Sequence, residues 1–159
     1  MTCPERPTRN DQPGTTYPER PAVTDKPTVD ETICERRSIG EILDHARARL
    51  DRLQPEQLEA EQANGVLIVD IRPVEQRSRD GDLPGAVVID RNVLEWRLDF
   101  TCEHHLPEVI GPETRIVIVC NEGYGSSLAA ATLQDLGLHR ATDLVGGFQA
   151  WMRARRPHG

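Results

Sequence analysis

Cys120 ends an apolar run, Ile116-Val117-Ile118-Val119, and opens a short loop, Asn121-Glu122-Gly123-Tyr124-Gly125. Ser126-Ser127 then begin an Ala/Leu-rich helical stretch. A cysteine delivered by a buried strand to a turn at a helix N-terminus meets two effects. Unpaired N–H groups of the turn and the first helical residues point at one spot. The helix dipole adds partial positive charge there. Both favour a thiolate, which is the nucleophilic form. Gly123 and Gly125 permit positive φ and close backbone approach. Ser126 is placed to cap the helix and to turn its hydroxyl toward the pocket. A cysteine after a β run would otherwise read as an inert hydrophobe; the loop that follows argues for chemistry.

The surrounding pattern supplies the elements that must hold this loop. Ser38-Ile39-Gly40-Glu41 has the form of a capping box, and Ile39, Ile42, Leu43, Ala46 and Leu50 recur at helical spacing. Asp51 to Gln54 is expected to form a short edge strand. Pro55 suits the first position of a second helix, ended by Asn64-Gly65. Val66 to Ile71 and Ile116 to Cys120 read as strands buried on both faces, with weaker strands at 86–89 and 142–145. Helical patterns lie between them at 73–79, 93–98, 126–136 and 148–155. Alternating strands and helices imply an α/β fold, an open and mostly parallel sheet of four or five strands with helices on both faces. Ligands of such sheets bind beyond the carboxyl ends of the strands. Cys120, Asp70–Arg72 and Arg91 all follow such ends and are expected on one rim.

Four stretches together resemble the rhodanese family. Cys120-Asn121-Glu122-Gly123-Tyr124-Gly125-Ser126 is similar to its Cys-x-x-Gly-x-Arg-Ser loop. Val66-Leu67-Ile68-Val69-Asp70-Ile71-Arg72 is similar to its strand ending in Asp-x-Arg. Gly81-Asp82-Leu83-Pro84-Gly85-Ala86 resembles its Gly-His-Ile-Pro-Gly-Ala turn, and Leu144-Val145-Gly146-Gly147-Phe148-Gln149-Ala150-Trp151 its closing Leu-x-Gly-Gly-x-x-Ala-Trp. They come in the family's order. The stretches 91–99 and 135–144 further resemble an actinobacterial subgroup of short rhodaneses. The resemblance implies sulfur transfer: a Cys120 thiolate takes sulfane sulfur from thiosulfate or a persulfide, holds it as a persulfide, and passes it to a small thiol or a protein acceptor. Each half is a displacement at sulfur. Backbone N–H groups of Asn121 to Ser126 would stabilise first the thiolate and then the outer sulfur, with no metal and no cofactor.

Within that expectation, Gly125 stands where thiosulfate-using members often carry Arg, which bears on the choice of donor. Glu122 either points to solvent with only its N–H facing the cradle, or selects against anionic donors. Tyr124 is either a surface anchor or a gate for the acceptor. Arg91 either orients an anionic substrate at the rim or pairs with Glu95. Asp70 and Arg72 read as residues that fix the loop without touching substrate, with a structural salt bridge as the alternative. Cys102-Glu103-His104-His105 reads as a solvated loop, since adjacent histidines rarely converge on one ion.

The 159 residues suffice for one domain with a core. Residues 1–37 hold six of the twelve prolines and few apolar side chains, and are expected to be a disordered tail ahead of a domain at 38–156. The net charge of −7 argues against nucleic acid, and no apolar run is long enough for a membrane span. Four cysteines without a disulfide pattern fit a reducing cytoplasm. A second class of function is a non-catalytic module that carries or senses persulfide or docks a partner. A third, a phosphatase or arsenate reductase, needs Cys-x5-Arg; position 126 is Ser, and no arginine stands between Cys120 and Arg140. If residues 1–37 are a tether, deleting them leaves the thermal unfolding midpoint and sulfur-transfer turnover of the domain unchanged; a fragment that fails to fold would show that this segment packs on the domain.

Overall fold

Strand alternation divides the core. In a computed structural model of the chain, which describes residues 36–156, Ile116 and Ile118 face one layer of apolar side chains while Val117 and Val119 face another. All four are completely buried, as a central strand covered on both faces requires. Most of the expected tail, with Cys3 and Cys34, lies outside the described residues.

The elements run α1 (Ile39–Ala48), a 3-10 turn (Pro55–Gln57), α2 (Leu58–Ala63), β1 (Leu67–Asp70), α3 (Val74–Asp80) and β2 (Val87–Val88). A second 3-10 turn (Arg91–Val93), α4 (Leu94–Leu98), β3 (Ile116–Val119), α5 (Gly125–Asp135), β4 (Ala141–Asp143) and α6 (Gly147–Ala154) follow. The sheet has four strands, all parallel, in the order β2-β1-β3-β4. Leu94 and Leu98 of α4, and Ala129, Ala130 and Leu133 of α5, cover one face. Leu58 of α2, with Phe148 and Trp151 of α6, covers the other. After β1 the chain moves to one side of the sheet and after β3 to the other. The loops leaving these adjacent strands therefore flank the switch point, where α/β sheets open a crevice.

The expected capping box forms at α1. Ser38 Oγ accepts from Glu41 N, and Glu41 returns its carboxylate to Ser38 N at 2.7 Å. That backbone bond, then the Ser38 hydroxyl, holds the Glu41 carboxyl below its ordinary range.

The expected edge strand at 51–54 is corrected. It shrinks to one parallel bridge, Leu53 to Leu144. Leu53 N donates to Asp143 O and Val145 N donates to Leu53 O, but Pro55 starts a helical turn two residues on and ends the pairing. Arg52 meanwhile turns its side chain onto Asp143, and Thr142 Oγ1 donates to Asp51 O. No helix among the described residues is long and apolar enough to cross a membrane.

Candidate functional site

The loop after β3 wraps around the sulfur of Cys120. Gly123 N donates to Sγ at 3.2 Å and Ser126 N at 3.4 Å, and Ser126 Oγ lies 3.2 Å from it. Helix α5 begins at Gly125, and its first residues have no side-chain cap. The sulfur takes that place, accepting from an N–H of the first turn, where a helix end offers unpaired donors and positive potential. The expectation that Ser126 caps the helix is therefore corrected: it stands inside the first turn, and its hydroxyl bridges Cys120 and Asp143.

Of the two loop glycines, Gly123 alone has positive φ, at 76°. A Cβ there would meet Gly146 N at 2.8 Å. The expectation of positive φ at Gly125 is corrected, because that residue already opens the helix; a Cβ on it meets nothing within 4 Å. The loop is pressed against the Gly146–Gly147 turn. Gly147, at φ 60°, would drive a Cβ to 2.4 Å from Cys120 O and 2.7 Å from Gly123 N. Phe148 N donates to Cys120 O at 2.9 Å and Gln149 N to Asn121 O at 3.0 Å, so the opening residues of α6 bind the loop's carbonyls.

Behind the loop lies a buried polar network that the sequence reading missed. Asp143 of β4 is wholly buried and accepts from Arg52 Nε at 2.7 Å, Ser127 Oγ at 2.7 Å and Ser126 Oγ at 3.1 Å. Arg47 of α1 donates to the Gly123 carbonyl at 2.7 Å and to Ser127 Oγ at 3.2 Å, and its guanidinium lies 5.3 Å from the Tyr124 ring centre. A carboxylate within the run Ala141-Thr142-Asp143-Leu144-Val145 was the available signal, since a buried charge demands a paired cation.

The remaining expected residues divide. Glu122 is exposed, and Tyr124 is 58% exposed on the loop surface. Asp70 and Arg72 are buried and form a forked pair with each other, at 2.7 to 3.1 Å. Arg72 also donates to Gly81 O, and its guanidinium lies 3.4 Å from the centre of the Phe148 ring. It thus braces the residue whose N–H holds the Cys120 carbonyl. Arg91 takes part in none of these contacts; its guanidinium pairs with Glu95 at 2.7 and 2.9 Å. Cys102 and Cys120 are free thiols. No cluster of three metal-ligating side chains occurs among the described residues.

This fold and this loop are those of a known family. Residues 54–154 match the family model of the rhodanese-like domain, and the chain belongs to that family. It is 31% identical over 106 residues to the thiosulfate sulfurtransferase GlpE of Pseudomonas savastanoi pv. phaseolicola, covering 67% of this chain and 90% of that protein. It is 32% identical over 109 residues to the adenylyltransferase and sulfurtransferase uba4 of Ogataea parapolymorpha; the match covers 68% of this chain but spans only 25% of that relative's length. Among solved structures, it resembles a protein of unknown function from Rhodopseudomonas palustris, described as a possible tyrosine phosphatase. That match has 35% identity and a TM-score of 0.67, and covers 76% of this chain and 93% of the other.

The packing of the loop gives a direct expectation. Gly147→Ala should lower stability by more than about 2 kcal/mol, through a left-handed backbone and a clash with the loop, read as a lower urea midpoint at unchanged slope. Gly125→Ala, with helical backbone and open space, should leave the midpoint equal or slightly higher. Equal losses in the two variants would contradict the contact.

Proposed function

We propose that the protein is a sulfurtransferase that carries sulfane sulfur as a persulfide on Cys120. The observation that carries this reading is the convergence of the Gly123 and Ser126 N–H groups on Sγ. In the first half-reaction the Cys120 thiolate attacks the outer sulfur of the donor. A Cys120–sulfur bond forms, the donor's S–S bond breaks, and its electron pair leaves on sulfite or on a thiolate. In the second half-reaction a nucleophilic acceptor attacks the bound sulfur, and Cys120 leaves as thiolate. The loop N–H groups are fixed by α6 and by Arg47 before any charge arrives, so little reorganisation is needed when it does. Ser126 adds a hydroxyl that can donate to the sulfur, since Asp143 keeps its bonds from Arg52 and Ser127 when that proton turns away.

A free thiol in a reducing cytoplasm suits this role. Asn121, Glu122, Tyr124 and Gly125 contribute the loop's shape, with Asp70 and Arg72 bracing it through Phe148. Arg91 is held by Glu95 and is the weakest member of the expected set. A phosphatase reading has less support: no arginine follows in the loop or the first turn to clamp a phosphoryl group. A module that only docks a partner has less support, because Cys120 is partly exposed and the donors are in place; one that carries or senses persulfide shares this site and differs in lacking turnover.

The test is intact mass of the reduced protein after incubation with thiosulfate and, separately, with glutathione persulfide. Wild type should gain one sulfur, about 32 mass units, as expected for a covalent intermediate on the nucleophile. Cys120→Ser should gain none while keeping a native circular-dichroism spectrum; sulfur transfer surviving in that variant would sink the mechanism.

Gly125→Arg should raise kcat/KM for thiosulfate by about tenfold or more, the scale of one charge-assisted contact to an anion. The site of substitution is open and helical, so folding is not the obstacle. A well-folded variant with no gain would show that charge at this position does not limit donor use.

A further inference from the structure

Beside the loop, on the side of α6, lies a cleft of about 560 Å3. Asn121, Glu122 and Tyr124 form its loop wall. Gly146, Gln149 and Arg153 form a second wall, at spacings of three and four residues that put them on one stripe from the start of α6. Arg79 and Asp80 of α3 close it. The volume lies within the ordinary range of small-molecule clefts, about 300–1,000 Å3.

The charges in this cleft are unequal in availability. Arg79 and Asp80 satisfy each other, with contacts at 2.7 and 2.8 Å. Their hydrogen bonds hold the Asp80 carboxyl below its ordinary range and the Arg79 guanidinium above its own, so both stay ionised and neutralised. Gln149 bridges Asp80 and Asn121, fixing the floor between α3 and the loop. Glu122 and Arg153 have no ion-pair or side-chain hydrogen-bond partner among the described residues, and both are exposed. The cleft therefore offers one free carboxylate next to the sulfur loop and one free guanidinium further along α6. Its two acidic and two basic side chains sum to zero, which gives a dianion no net attraction. A ligand that bears one positive and one negative group meets a complement to each.

We propose that this cleft is the acceptor subsite and that it takes a thiol of amino-acid or short-peptide size carrying both an ammonium and a carboxylate, the ammonium against Glu122 and the carboxylate against Arg153. The proposal rests on the persulfide reading of Cys120 and names its acceptor. Cys120 does not itself line the cleft; its neighbour Asn121 does, so the charged end of the ligand is held there and its thiol reaches over the loop. The acceptor thiolate attacks the outer sulfur of the Cys120 persulfide. A new S–S bond forms, the bond to Cys120 breaks with its electron pair left on Sγ, and the proton of the acceptor thiol goes to solvent. No oxidant or reductant is required.

The experiment loads Cys120 with glutathione persulfide, removes excess donor, confirms the added sulfur by intact mass, and follows its loss in single turnover. The acceptors are L-cysteine, N-acetyl-L-cysteine, which lacks the ammonium, and L-cysteine methyl ester, which lacks the carboxylate. Comparing rate ratios between wild type and variant cancels the intrinsic reactivity of each thiol. In Glu122→Gln the preference for L-cysteine over N-acetyl-L-cysteine should fall about three- to fivefold, the size of an exposed ion pair. In Arg153→Gln the preference for L-cysteine over its methyl ester should fall by a similar factor. Each variant should leave the other ratio alone. Ratios that do not move in either variant would overturn the cleft while leaving the persulfide intact. Wild type that never gains the sulfur would overturn the persulfide reading, and the subsite with it.

Discussion

The sulfur of Cys120 is presented correctly only while the backbone of residues 120–123 lies flat against the Gly146–Gly147 turn. Two carbonyls of the loop are tied to the first turn of α6, and the spacing between the two segments excludes a Cβ on Gly123 or Gly147. With its carbonyls turned toward α6, the loop can direct N–H groups inward at the sulfur. The dipoles of two helices thereby act on one short segment: α6 holds its outer side and α5 its inner side. The sulfur follows the end of β3, but the geometry of its loop is set by the segment after β4.

A second layer supports the first. Asp143 receives four hydrogen bonds from Arg52, Ser126 and Ser127 in a site with no exposure to water. Such a charge is tolerated because a cation and hydroxyls compensate it, and removing one partner would cost far more than the pair contributes. On the other side of the loop, the Asp70–Arg72 fork packs against Phe148. The Cys120 loop thus rests between two ion pairs, one buried and one part-buried, both reached from the ends of parallel strands.

Much of this was legible in the residues. Long apolar runs gave the central strands because full burial leaves no polar alternation to misread, and Ser38 with Glu41 gave the first helix because the cap is local chemistry. The four strands, their parallel sense and the position of Cys120 at a strand end follow from such local signals. The fifth strand failed because Pro55 and Arg52 act against extension, one by starting a turn and the other by seeking Asp143 across the fold. The roles of Arg47 and Arg52 were invisible for a related reason: each sits on an ordinary charged surface pattern and acquires meaning only through a partner 76 to 91 residues away. The local pattern at Ser126 suggested both a cap and a hydroxyl turned toward the pocket; the cap does not form, and the hydroxyl lies between the sulfur and a distant carboxylate. Position 125 looked like a turn glycine but is a helical residue, since the turn is completed at Gly123.

The family match begins at residue 54, yet Arg47 and Arg52, which hold the Gly123 carbonyl and the Asp143 carboxylate, lie before it. The segment that ties down this loop thus lies outside the residues the family model matches. A boundary drawn at residue 54 would retain the sheet, the cysteine and the glycine turn, and would discard the two guanidiniums that anchor them. The set of residues that holds the loop is wider than the matched stretch. Transplanting the loop's geometry to another scaffold would require carrying the end of α1 and Arg52 along with it.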